Sequence, residues 1–96
     1  MIDHEQRQEL IAEVNVGQAC ADFMASDVGR YLLGCAKLYR EELFQRFAQV
    51  SATDHAAIRK LQALSEVPEL FEKWLTAAIA NGRNARFILE SDMEES

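Results

Sequence analysis

The stretch Val50-Ser51-Ala52-Thr53-Asp54-His55 separates two long amphipathic runs and decides the fold. Before it, Val28, Leu32, Ala36, Tyr39, Leu43, Phe47 and Val50 step by 4, 4, 3, 4, 4 and 3. That spacing keeps one helix face apolar for ~23 residues, about 35 Å. After it, Ala57, Leu61, Leu64, Pro68, Phe71, Leu75, Ala78, Gly82, Ala85 and Leu89 alternate steps of four and three without a miss, the pattern of a coiled-coil seam. So short and polar a link, with Ser51 and Thr53 as candidate caps, forces the second run back alongside the first. The expected fold is all-α, a long antiparallel helical hairpin over about 27–50 and 54–89 plus a shorter N-terminal helix.

The ends of these helices carry local signals. Ser26 suits an N-cap, because its hydroxyl accepts a free backbone N–H of the next turn, and Asp27 adds a charge favourable to the positive helix end. Upstream, Asp3 and Gln6 have the spacing of a capping box, and Leu10, Ile11 and Val14 follow as the apolar face of a first helix. Asn15 to Gly17 ends that helix or kinks it, or the helix continues beyond Gly17 through Gln18 to Ala25 at a cost of about 1 kcal/mol for the glycine. Pro68 is expected to kink the last helix or restart it near Ser65 or Glu66. The tail from Glu90 to Ser96 holds four acids and no base at an already negative helix end, and is expected to be disordered.

At 96 residues, 49% of them apolar, the chain has the size of a single helical domain. A second apolar stripe, Val67, Leu70, Trp74, Ala77 and Ile88, widens the last helix beyond what one partner helix covers. Both the N-terminal helix and another subunit are expected to cover it, so a homo-oligomeric helical bundle is the expected state. Arg30, Lys37, Arg40 and Arg46 fall mostly on the opposite side of the second helix from its apolar stripe.

Ten Lys and Arg against sixteen Asp and Glu leave a net charge of −6, which repels a nucleic-acid backbone and disfavours direct nucleic-acid binding or attachment to an anionic membrane. No apolar run approaches the ~18 residues that span a bilayer. Cys20 and Cys35 lie in apolar stretches without CxxC spacing and read as buried reduced thiols, so the cytoplasm is the expected compartment. His4 and His55 are too far apart along a hairpin to share a metal or support a nucleophile, and no carboxylate-x-x-His repeat of the di-iron type occurs. Gly29 to Gly34 lacks the Lys-Ser/Thr of a phosphate loop, and its glycines suggest close helix contact instead. Glu41 and Glu42 point about 100° apart on a helix and cannot act as an acid/base pair. These readings predict no catalytic centre, no metal and no cofactor.

Candidate interface residues are therefore apolar anchors and one basic cluster. Tyr31, Phe71 and Trp74 offer large contact area at little entropic cost. Trp74 lies off the principal seam and is the preferred contact for the N-terminal helix or a second subunit. Ala78, Gly82 and Ala85 share a small-residue face suited to close helix approach, although Gly82 also fits a frayed helix end. Arg83 and Arg86, with Asn81 and Asn84 interleaved, are the basic cluster suited to an anion or acidic partner.

The run Phe23-Met24-Ala25-Ser26-Asp27-Val28-Gly29-Arg30-Tyr31-Leu32-Leu33-Gly34-Cys35-Ala36, with Ala57-Ile58-Arg59-Lys60-Leu61-Gln62 and Lys73-Trp74-Leu75-Thr76-Ala77-Ala78-Ile79-Ala80-Asn81-Gly82, resembles a family of small uncharacterised tailed-bacteriophage proteins. The likeness covers roughly residues 23 to 90. Pro68 and the acidic tail depart from the family pattern. The resemblance implies a phage or prophage origin near packaging and head genes, hence a bacterial host cell, and carries no catalytic residues with it. The function it suggests is a non-enzymatic accessory protein acting through helix-mediated contacts in virion assembly or DNA packaging. The alternative from the acidic composition is a host-directed inhibitor that imitates DNA.

Overall fold

The computed structural model describes residues 1–95, of which all but the ends and two connections are helical. Three helices follow in order: α1 (His4–Ala25), α2 (Asp27–Gln49) and α3 (His55–Glu95). No strand occurs among the described residues. The all-α reading and the turn after Val50 are both present.

Asp3 starts α1 as a full capping box: the Gln6 N–H donates to Asp3 Oδ1 at 2.8 Å, and the Asp3 N–H donates to Gln6 Oε1 at 3.1 Å. α1 crosses Gly17 without a break and reaches Ala25, so it has 22 residues against 23 in α2 and is not a short appendage. One extended residue, Ser26 (φ −73°, ψ 161°), ends α1 and starts α2. Its hydroxyl accepts from the Gly29 N–H at 3.0 Å and donates to the Phe23 carbonyl at 2.6 Å, satisfying a free group on each helix.

The turn before α3 is capped by Asp54 and not by Ser51 or Thr53. Asp54 Oδ1 accepts from the Ala57 N–H at 3.1 Å, whereas Ser51 and Thr53 bond each other through their hydroxyls at 2.9 Å. A carboxylate one residue before the helix outcompetes hydroxyls further away because it also meets the positive helix end. Pro68 neither restarts nor ends α3, which runs unbroken for 41 residues with Pro68 buried in its seam. Ser65 donates to the Gln62 carbonyl at 2.8 Å, within the same helix, and caps no new one.

From Glu90 to Glu95 the tail is helical and not disordered as expected, and Ser96 lies outside the described residues. Asp92 explains the order: it pairs with Arg7 at 2.5 Å and accepts from the Ile2 N–H at 3.3 Å, with only 10% of its side chain exposed. Its negative charge at the helix end is neutralised from α1.

All ten seam positions of α3, from Ala57 to Leu89, are buried or half-buried. α1 covers the C-terminal part in antiparallel sense, Arg7 meeting Asp92 and Phe23 meeting Phe71. α2 turns away at Ser26 and closes on the N-terminal part, with Arg40 paired to Glu72 at 3.3 Å and Val50 sharing a groove with Ala57 and Leu61. The N-terminal helix thus lies on the α3 seam itself and not on the second stripe. α1 comes closer to α3 than α2 does, because Gly17, Gly82 and Ala85 fill their contact and bulkier residues such as Leu43 and Leu61 fill the other.

The inward line of α2 is Gly29, Leu33, Ala36, Arg40, Leu43, Phe47 and Val50, none of them exposed. Val28, Leu32 and Tyr39, expected to face inward, are exposed instead, and Arg40, expected on the solvent side, lies on the inner face. This choice goes with Gly29 closed against the Phe23 carbonyl at the Ser26 corner and with Leu43 buried against α3, and it brings Arg40 within reach of Glu72. The result is thin and long, 63 × 29 × 17 Å, with a radius of gyration of 19.4 Å against about 12.5 Å for a compact chain of this length.

Candidate protein interface

Solvent reaches far more of this chain than its size requires. Its accessible surface is 7337 Å², whereas about 5,600 Å² is typical of a compact 10.9 kDa monomer, an excess of about 1,700 Å². Among the described residues, Leu43, Leu61, Pro68 and Ala85 are the apolar side chains that are buried.

The surplus is organised along helix faces. On α3, Lys60, Ala63, Val67, Leu70, Trp74, Ala77 and Asn81 are all exposed and step by 3, 4, 3, 4, 3 and 4. They form one stripe beside the seam, charge-free between its ends. Trp74 is 66% exposed at its middle. At one end Lys60 lines a groove with Arg46 and Gln49. At the other, Asn81 lines a groove with Ala12, Glu13, Val16 and Ala78. The stripe therefore continues onto α1 through Ala12 and Val16. A second exposed line, Val28, Tyr31, Leu32, Cys35 and Tyr39, runs along α2, where Tyr31 is 71% exposed.

The candidate residues divide into two groups. Trp74 and Tyr31 remain free of intramolecular cover, and Trp74 does not serve the N-terminal helix. Phe71 is used within the chain: its ring meets Phe23 edge-on at 6.4 Å. Ala78 and Gly82 are taken by α1, since a Cβ built on Gly17 would lie 2.8 Å from the Ala78 carbonyl oxygen and 3.0 Å from the Gly82 Cα. Gly82 is thus a contact and not a frayed end. Arg83 and Arg86 are exposed and line a separate groove with Val14, Gly17, Gln18, Ala21 and Ile79. They do not join the apolar stripe.

The thiols also divide. Cys20 is half-buried, but Cys35 is exposed, because the rotation of α2 turns it outward. Of the two glycines read as contact points, Gly29 is buried at the Ser26 corner and Gly34 meets open space. His4 and His55 lie at opposite ends of the α1–α3 pair. No group of three His, Cys, Asp or Glu among the described residues is placed to hold a metal ion, and no helix is long and apolar enough to cross a membrane.

No family model matches this chain, and neither a curated protein nor a solved structure is significantly similar to it.

Proposed function

We propose that this chain is a non-enzymatic phage or prophage accessory protein, working without a cofactor in the host cytoplasm, that binds protein partners through its exposed helix faces during virion assembly or DNA packaging. The observation that carries the reading is the charge-free stripe from Ala63 to Ala77 on α3, with Trp74 at its middle, left open on a chain with surplus accessible surface. Ordered apolar stripes of this extent belong to interaction surfaces, and an exposed tryptophan flanked by aliphatic residues is the side-chain set of an interface anchor. The phage assignment rests on the resemblance of residues 23 to 90.

The test is cross-linking of a tagged chain in bacteria carrying a replicating tailed phage that encodes it, followed by mass spectrometry. A virion or packaging protein is expected to be captured by the native chain and lost with Trp74→Glu. Capture of host proteins alone, equal for both chains, overturns the reading.

The inhibitor reading is favoured by one separate feature. Asp3, Glu5 and Glu9 of the α1 end and Glu90 and Glu94 of the α3 end are all exposed around the Arg7–Asp92 pair, which gathers carboxylates at one tip of the molecule. Competition with DNA for a bacterial nuclease or other DNA-processing enzyme, relieved by salt, is its expected signature. A chain without effect on such enzymes removes it.

A further inference from the structure

We infer that the α3 stripe is covered by a second copy of this chain, packed antiparallel across a two-fold axis that passes between Leu70 and Trp74. Three observations lead there, and they deepen the interaction reading above by naming its first partner.

The first is area. The surplus of about 1,700 Å² per chain comfortably exceeds the ~800 Å² per partner buried in an interface of standard size. A second copy laid along the stripe brings both its α1 and its α3 against the first and closes a four-helix arrangement.

The second is the symmetry of the charges. At one end of the stripe stands Lys60, which has no ion-pair partner among the described residues, beside Arg46. At the other end stands Glu13, equally unpaired, with Glu9 one turn before it. The Glu13 carbonyl lies level with Gly82, so the midpoint between Lys60 and Glu13 along α3 falls at about residue 71, between Leu70 and Trp74. Rotating a second copy by half a turn about that point sets each Lys60 over the partner's Glu13. A parallel copy would instead set lysine on lysine and glutamate on glutamate. Charges at the rim of an apolar contact select such an orientation even where they add little affinity.

The third is the nature of the centre. Val67, Leu70, Trp74 and Ala77 meet the same four residues of the second copy there, as an isologous contact requires of a self-complementary patch. Across an axis between Leu70 and Trp74, each Trp74 lies opposite the partner's Leu70 and each Val67 opposite the partner's Ala77, a bulky side chain over a smaller one at both levels.

Sedimentation equilibrium tests this directly. The full-length chain is expected to be a dimer, and Trp74→Glu and Leu70→Glu to raise its dissociation constant by about 30-fold or more with helical circular dichroism retained. Val28→Glu, on the other exposed line, is expected to leave the dimer intact. Lys60→Glu and Glu13→Lys are each expected to weaken self-association when alone and to restore it when mixed in equal amounts, since both end contacts then pair opposite charges. A monomeric native chain, an odd-numbered assembly, or a dimer insensitive to Trp74→Glu overturns the proposal, and absence of rescue on mixing overturns the antiparallel arrangement. A monomer that still captures a virion protein would defeat the dimer alone, leaving the interaction reading in place.

Discussion

Gly17 of α1 and Gly82 of α3 face each other so closely that a Cβ built on either would stand 3.0 Å from the Cα of the other. Real Cβ atoms rarely sit so close to a neighbour, and here the neighbours are backbone, which cannot swing aside. The two glycines therefore set the spacing of the α1–α3 pair.

Gly17→Ala and Gly82→Ala are expected to destabilise the fold by about 1–2 kcal/mol, the overpacking cost exceeding the ~1 kcal/mol that alanine gains as a helix former. Gly34→Ala, made where nothing stands within 4 Å, is expected to stabilise by up to about 1 kcal/mol. Urea unfolding of the three variants checks the contrast. Equal signs at all three positions would show that the glycine contact does not control the packing.

Gly29 answers to a different constraint. A Cβ there would stand 1.6 Å from the Phe23 carbonyl oxygen, across the Ser26 corner. Gly29→Ala must open the angle between α1 and α2, at a cost above that of the Gly17 and Gly82 variants. The expected result is a loss of about 3 kcal/mol or more in unfolding free energy, with helical content largely kept.

Order in the acidic tail depends on Asp92. Asp92→Asn is expected to cost about 1–2 kcal/mol through the weakened contact with Arg7 and the Ile2 N–H, Arg7 itself being partly solvated. Amide exchange should accelerate in residues 90–95 and at the start of α1 while the centre of α3 stays protected. Uniform protection in the variant would mean that the helix end holds itself.

In the turn, Asp54→Ala is expected to cost about 1 kcal/mol as the loss of an N-cap, and Ser51→Ala or Thr53→Ala less than half of that. Thermal unfolding of the three single variants separates them. A Thr53 variant as damaging as the Asp54 variant would reassign the cap.

Much of the architecture was legible because helix signals are local. The seam from Ala57 to Leu89, the caps at Asp3 and Ser26, and the turn after Val50 all follow from spacing or from groups one turn apart. Of the candidate interface, Trp74 and Tyr31 stand free, whereas Phe71, Ala78 and Gly82 turned inward. Periodicity marks a residue as apolar-facing without saying which neighbour it faces. On α2 the apolar residues occupy more than half the circumference, so two inward lines fit the spacing equally well. The Ser26 corner, which admits only Gly29 beside the Phe23 carbonyl, selects the line holding Leu33 and Arg40 and leaves Val28, Leu32 and Cys35 outward.

By itself, then, the order of residues determined that the chain is helical, where it reverses, and which face of α3 is buried, since hydrogen bonds and side-chain periodicity within a few turns suffice for that. Only the tertiary structure decided that α1 shares the α3 seam instead of covering its second stripe, that Asp92 draws the tail into the helix, and that Pro68 passes through unbroken. The first two depend on contacts between residues tens of positions apart, where closely opposed glycines and a distant ion pair outweigh local preference.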